Sequence, residues 1–466
     1  MGRRRAGTAR RNFSSLTTVP DETIVAVATP PGTGAVSIVR ISGPAVDRLA
    51  KRFVRTKSPF RPRIATRATL LDESGEPLDH GLALLFPAPH SYTGEDLLEL
   101  QTHGSPVVVR EVVRALLGGG ARLAQPGEFT RRAFFNGKLG LHEAAAVADL
   151  IDAQTRRAAR AALANLESGV GGEVRETRAG LRAVVEELEG AIDFPDEVPE
   201  PNRAALAQRI APLYERLERL RLDGEAGRVL REGLAVAIVG PPNAGKSSLL
   251  NALLGTQRAI VSEIPGTTRD TIEEVLAVDG VPVRLIDTAG IRSHADRLEA
   301  SGIARSQAAL EAADIALVVL DGSQPSGPDA DRLLERTSEK TRILYLNKAD
   351  LGADAALARR LPEAVAGSVR EPATLQALRD AIAQAGWRGA SFDATRPHLA
   401  ALHEFEAVND ALAALRQALE SLAAGEPVDF AATELARAFS ALGHVSEPVA
   451  AEEIIAGIFS RFCIGK

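Results

Sequence analysis

Residues 240–247 read GPPNAGKS, which has the spacing G-x-x-x-x-G-K-[ST] of a phosphate-binding loop. The apolar run LAVAIVG leads into it and SLLNALLG follows, so the loop joins a strand to a helix. Gly240 and Gly245 allow backbone N–H groups, including those of Asn243 and Ala244, to curl around phosphate oxygens at a helix N-terminus. Lys246 supplies charge to the outer phosphates, the Ser247 hydroxyl suits Mg²⁺, and Ser248 continues the loop into the helix. This stretch sets the expectation of an α/β P-loop domain.

Two further motifs follow in the order such a domain requires. DTAG (Asp287, Thr288, Ala289, Gly290) ends the run VRLIDTAG, where Asp287 can hold Mg²⁺ through water and the Gly290 amide can meet a γ-phosphate. NKAD (Asn347, Lys348, Ala349, Asp350) ends RILYLN. The Asp350 carboxylate can accept from both guanine N1–H and the 2-amino group, a donor pair that adenine lacks. Between the first two motifs lies IPGTTRD (Ile264, Pro265, Gly266, Thr267, Thr268), preceded by Ser262 and Glu263. Thr268 is placed to close over Mg²⁺ while a γ-phosphate is present. The Ser-Ala-Lys element expected on the far side of the base is replaced by SVREP from Ser368, with Pro372 stiffening it. Together these motifs imply GTP binding.

Outward from this domain the texture changes. Residues 231–389 alternate strands and helices as in a doubly wound sheet, with a hairpin turning at Asp279-Gly280. On either side, 138–230 and 390–466 carry helical stripes: Val170, Val174, Leu181, Val185, Leu188 and Ile192; Leu206, Ile210, Leu213, Leu217 and Leu220; Leu399, Leu402, Phe405, Leu412, Leu415, Leu419 and Leu422. Ile454, Ile455, Ile458 and Phe462 suggest a last short helix in 451–462, and FPDEVPEP, 194–201, breaks an earlier one. In 21–137 the runs TIVAVAT, AVSIVRI, GLALLF and LLELQ read as strands and PVVVREVVRALL as a helix, an α+β unit. The expected fold is therefore multidomain: an α+β N-terminal domain, a helical domain in two segments, and an inserted P-loop domain.

The 466 residues carry a net charge of −6, which argues against a basic nucleic-acid coat but leaves room for RNA on a local patch. Cys463 is the only cysteine, which excludes internal disulfides and cysteine-rich zinc sites. No apolar run reaches about 18 residues, so no membrane helix is expected. Residues 1–20 hold Arg3, Arg4, Arg5, Arg10 and Arg11 and no acid, a composition that resembles a transit peptide, but with no apolar periodicity they read rather as a disordered basic extension.

The stretches ATPPGTGAVSIVRISG, SYTGEDLLELQTHG, PGEFTRRAFFNGKL and AIDFPDE and the terminal FCIGK resemble the MnmE (TrmE) family of GTPases for wobble-uridine tRNA modification. The likeness runs from about Thr23 to Lys466. It implies an N-terminal folate-binding and dimerisation domain, a two-piece helical domain and an inserted G domain. It further implies a homodimer, a heterotetramer with the FAD-dependent MnmG (GidA), and a cytoplasmic setting. The substrates implied are tRNA, GTP and 5,10-methylenetetrahydrofolate, with 5-formyltetrahydrofolate as an analogue. By position, the folate site involves Arg40, Glu99, Lys138 and Lys466. Cys463 is carried over with the tail beside that pocket, although a lone cysteine in an apolar helix is more often a core residue.

Ile291 stands directly after DTAG, where many such switches have a water-orienting glutamine. The resemblance implies two substitutes. One is K⁺ held by Asn243, Ser262, Ile264 and Thr267; the other is Glu299 as the acid that orients the water. Asp296 is a nearby rival for the second role. A different class of protein, the ribosome-assembly GTPase of the Era or EngA kind, would share the G-domain motifs. The helices after Arg388 show no GXXG loop and no basic run, which favours the modification enzyme.

Overall fold

The computed structural model describes residues 22–167, 169–199, 201–255, 274–286, 308–387, 393–446, 458, 459, 462 and 465. The chain divides into two compact units, one reaching Ala144 and including the tail from Ala450, the other spanning Ala145–Val449.

The first unit is built on a sheet of β1 (Ile24–Val27), β2 (Gly34–Ser42), β3 (Val54–Thr56), β4 (Thr66–Leu71), β5 (Pro77–Phe86), β6 (Leu97–Gly104) and β7 (Arg122–Leu123). Their order is β3-β4-β5-β6-β2-β1-β7. Only the β1–β7 pairing is parallel among them. Alternation sends Val39 and Ile41 of β2, Leu98 and Leu100 of β6, and Ala68 and Leu70 of β4 inward. There they meet Leu49 and Phe53 of helix Val46–Phe53 and Val109, Val112 and Leu116 of helix Pro106–Gly118. The described tail residues join this unit: the rings of Phe134 and Phe459 lie 6.3 Å apart, and those of Phe459 and Phe462 6.0 Å.

In the second unit, helices Gly171–Asp193, Arg203–Glu232, Leu402–Ala424 and Val428–Ser446 share one core, so sequence segments on both sides of the P-loop region pack together. Two expected core positions are corrected. Leu402 is 75% exposed, because it is the first residue of its helix, and Leu399 just before it is buried instead. Ile192 is exposed at the end of its helix, and Val184 takes the buried place of the stripe while Val185 only packs at its margin.

The intervening sheet holds β8 (Leu234–Val239), β9 (Glu274–Val278), β10 (Val281–Ile286), β11 (Ile315–Asp321), β12 (Arg342–Asn347) and β13 (Val365–Ala366), in the order β13-β12-β11-β8-β10-β9. All pairs are parallel except the β9–β10 hairpin, which turns at Asp279-Gly280 where both residues have positive φ. Along β8 and β11 every residue is apolar up to the last, and alternate residues enter different cores. Val236, Ile238, Leu317 and Val319 pack on one face; Ala237, Val239, Val318 and Leu320 pack on the other. Both faces are covered, as parallel strands require. The topological switch point lies at β8, and the loop at its C-terminal end is GPPNAGKS. Among the described residues no helix is long and apolar enough to cross a membrane.

Candidate nucleotide site and polar N-terminal cluster

The loop after β8 owes its shape to backbone conformations that its sequence permits. Gly245 has φ +94° and Asn243 has φ +60°, left-handed values that turn consecutive N–H groups toward one side. A Cβ at Gly240 would lie 2.2 Å from the Val319 carbonyl oxygen, and one at Gly245 would lie 2.1 Å from Asn347 Nδ2. Glycine is thus fixed at both positions by close approach. Helix Lys246–Leu254 starts here and anchors itself with buried Leu249, Leu250 and Leu253. Lys246 Nζ donates to the carbonyls of Gly240 and Pro241, each at 2.8 Å, so the ammonium curls over its own loop. Burial pushes that ammonium below its ordinary value. Ser247 and Ser248 follow on the first turn.

The base-side loop is tied to the phosphate loop directly. Asn347 is buried, and its Nδ2 donates to the Ala244 carbonyl at 2.8 Å. Lys348 has φ +65° and its Nζ lies 2.7 Å from Asp321 Oδ2. Asp321 also accepts from Ser323 N and Oγ, and these bonds together with Lys348 hold its carboxyl below the ordinary range despite the cost of burial. Ala349 N donates to the Gly367 carbonyl at 3.1 Å, which sets the 347–350 turn against the segment before Ser368. Asp350 lies 3.4 Å from Arg370. Ser368 is buried, its Oγ accepts from Arg370 N, and Pro372 is the first residue of helix Pro372–Trp387, a position that suits proline. Sequence reasoning named neither Asp321 nor Arg370 as part of the site. Asp321 could have been found as the acid ending the strand beside RILYLN, in register with Asn347.

Ser262, Glu263, Ile264, Pro265, Gly266, Thr267, Thr268, Asp287, Thr288, Ala289, Gly290, Ile291, Asp296, Glu299, Cys463 and Lys466 lie outside the described residues, as do residues 1–20.

In the first unit the structure joins Arg40 and Glu99, which face each other across β2 and β6. Arg40 Nη2 is 2.8 Å from Glu99 Oε1, and its Nε donates to the same oxygen at 3.0 Å. Arg40 Nη1 donates to the Gly465 carbonyl at 3.4 Å, which seats the tail on the pair. The guanidinium also stands 5.7 Å from the ring centres of Tyr92 and Phe129. No hydrogen bond or ion pair among the described residues joins Lys138 to this pair; its stem lies against Gly94.

Behind it lies a cluster that sequence reasoning did not single out. Arg132 is 1% exposed and Glu128 is fully buried; they pair at 3.1 Å. Arg132 also bonds Glu95, and Arg122 reaches both Glu128 at 2.7 Å and Glu22. Glu95 accepts from Ser42 Oγ, which is itself 2.7 Å from Thr93 Oγ1. Burial works against the charge on Glu128, but the bonds from Arg122, Gln125 N–H and Arg132 hold its carboxyl down at about 2. Part of the signal was present in SYTGED and PGEFTRR, which supply Glu95, Glu128 and Arg132, while Arg122 and Glu22 lie outside both stretches.

A positive-φ loop at a strand end, a lysine folded over it and an acid-bearing turn one hydrogen bond away define a P-loop GTP-binding protein. Residues 23–138 match the family described as GTP-binding protein TrmE N-terminus, and residues 141–463 match the MnmE helical domain. The tRNA modification GTPase MnmE of Alkalilimnicola ehrlichii is 45% identical over 450 residues, covering 95% of this chain and 99% of that protein. Its counterpart in Aquifex aeolicus is 40% identical over 449 residues, covering 96% and 100%. The chain belongs to the MnmE (TrmE) family and is a GTP-hydrolysing enzyme.

Proposed function

We propose that this GTPase acts in modification of the tRNA wobble uridine in the cytoplasm, as a homodimer joined to an FAD-dependent MnmG (GidA) partner. The product is an aminomethyl or carboxymethylaminomethyl group at C5, and the carbon comes from 5,10-methylenetetrahydrofolate. The observation that carries this reading is the Arg40–Glu99 pair with Tyr92 and Phe129 around it and the tail carbonyl of Gly465 upon it. A carboxylate beside aromatic rings suits the amino-pyrimidine edge of a pterin, and cations suit the glutamyl carboxylates. Lys138 and Lys466 are the further cations assigned to that pocket, and Cys463 lies between Phe462 and the tail glycine in sequence.

In the G domain, the positive-φ loop at Asn243–Gly245 fits a polyphosphate, with Ser247 and Thr268 the residues that would hold Mg²⁺. Asn243, Ser262, Ile264 and Thr267 would hold K⁺, which supplies positive charge where it develops on the phosphates. Ile291 has no proton to move, so Glu299 is assigned to orient the water. The test is reconstitution of the chain with the FAD partner, GTP, methylenetetrahydrofolate and tRNA, in K⁺ and then in Na⁺. Modified uridine formed only in the complete K⁺ mixture is the expected result. Equal product without folate removes the folate assignment, and equal GTP turnover in Na⁺ removes the ion.

A further inference from the structure

From Arg48 to Arg67 the sequence carries eight Lys and Arg residues and no Asp or Glu, in a chain whose net charge is −6. Those eight side chains are all exposed. The segment ends helix Val46–Phe53, forms the edge strand β3 and enters β4. Pairing aligns Arg55 with Thr69 and Thr69 with His80, so these three make one cross-strand row on β3, β4 and β5. Arg67, two residues before Thr69, shares its face, while the alternate residues Val54, Ala68 and Leu70 are buried. The row borders a cavity of ≈ 460 Å³ lined by Arg55, Lys57, Arg67 and His80 with the hydroxyls of Thr56 and Thr69, and by no carboxylate.

What sets these cations apart is their lack of acid partners. In the helical part of the second unit, Arg209, Arg216, Arg221 and Arg228 pair with Glu187, Glu176, Glu218 and Glu232. Among the described residues Arg55, Lys57, Arg61, Arg63 and Arg67 make no ion pair, although Lys51 does pair with Asp47. The acids of the adjoining strands are engaged elsewhere: Asp72 accepts from Ser74 and Glu76 N–H groups, and Asp79 from His103. Cations without acid partners, of which Arg55 and Arg63 donate to the Gly75 and His90 carbonyls, suit a polyanion whose phosphates recur at short spacing.

We infer that the outward face of β3 and β4, with the 57–63 segment beyond it, binds the phosphate backbone of RNA. This rests on the tRNA reading above and assigns the substrate a surface. β3 stands four strands from β2 in the sheet, roughly 19 Å at the usual strand spacing, so an RNA held here leaves the Arg40–Glu99 pair free. Contacts of this kind give affinity without base preference and weaken as salt rises.

The test compares the full-length chain with Arg55→Ala/Lys57→Ala/Arg67→Ala and with Arg55→Lys/Arg67→Lys, binding a tRNA transcript across about 50 to 200 mM KCl. The triple variant should lose about tenfold or more in affinity at the low-salt end, and its log–log salt slope should shrink by about 2–3. The lysine variant should stay close to wild type, since each lysine keeps the point charge. GTP turnover without RNA should be equal in all three, which reports that the fold is kept. Wild-type affinity and slope in the triple variant overturn the surface while leaving the tRNA reading in place. A wild type that binds phosphatidylserine vesicles but no tRNA, with vesicle binding lost in the triple variant, overturns the RNA assignment. The tRNA reading is then judged separately, by modification with the FAD partner present.

Discussion

Lys246 finds its partners within six residues of itself, whereas Arg40 reaches Glu99 at a separation of 59 residues and Gly465 at 425. The two polar sites are built differently. Around Lys246 the working groups are backbone N–H and C=O, shaped by glycines that no other residue could replace without a clash. Around Arg40 and Arg132 they are side chains delivered by separate strands and a helix, each charge neutralised by the next. The first should tolerate loss of a side chain structurally and fail chemically. The second should fail as a fold where its charges are buried, at Glu128 and Arg132.

The largest effect is therefore expected at Glu128. Glu128→Ala leaves Arg132 buried and deprives Arg122 of its strongest partner. Breaking a buried pair by removing one partner costs about 3–5 kcal/mol. Urea unfolding of the full-length chain should show the first unit melting early, and an unchanged midpoint would place the strength of that unit elsewhere. The carboxyl lies near 2 in the folded chain against an ordinary 4.5, so its contribution is complete above that ordinary value and lost as pH falls toward 2.

Lys246→Ala comes next and should do the reverse. Among the described residues the ammonium is held by two carbonyls of its own loop, so the unfolding midpoint should barely move. GTP turnover should fall about 10²–10³-fold, the usual loss when one preorganised donor to developing charge is removed. Turnover within a few-fold of wild type would mean that the loop alone supplies the electrostatics.

This contrast also explains what could be read before the structure. Gly240, Gly245 and Lys246 are legible because local backbone geometry demands glycine at fixed spacing. Strands β8 and β11 are equally legible, since burial on both faces leaves an uninterrupted apolar run. Glu128 and Arg132 stand at i, i+4 spacing on one helix, and nothing local to that helix shows that they are buried, because Glu95 and Arg122 arrive from elsewhere in the chain. The short edge strand β3 was missed for the same reason: VRT carries no periodicity, and its pairing with β4 makes it a strand. Leu402 misled in the opposite direction, its spacing being right but its place being the first turn.

His398 offers a case between these extremes, a buried histidine in the helical part. Its Nε2 lies 3.4 Å from Asn165 Nδ2, its backbone N–H donates to Asn165 Oδ1 at 2.8 Å, and Gly227 leaves the ring room. Burial, with Arg231 nearby, pushes the imidazole down to about 4 from 6.5. A folded value below the unfolded one means stability is complete above 6.5 and declines as pH falls through 4. Between pH 7 and 5 the loss should reach about 1–2 kcal/mol, at no more than about 1.4 kcal/mol per unit. His398→Asn should flatten that slope in urea titrations at each pH, and an undiminished slope would assign it to other groups.

The smallest expected effect sharpens the comparison most, because Arg40 and Glu99 resemble the Glu128 cluster in chemistry but not in burial. Their side chains are 18% and 17% exposed, so water screens the pair and each charge can be solvated if the other is lost. A double-mutant cycle of Arg40→Ala and Glu99→Ala should give a coupling below about 1 kcal/mol in unfolding. Folate-analogue binding should respond far more than stability, since the pair, the rings of Tyr92 and Phe129 and the Gly465 carbonyl converge there without sustaining the core. A coupling as large as the Glu128 loss would make Arg40 a structural member of the same network. Small coupling with lost ligand affinity separates two functions within one polar region: Glu128 and Arg132 hold the unit together, and Arg40 and Glu99 face outward for a ligand.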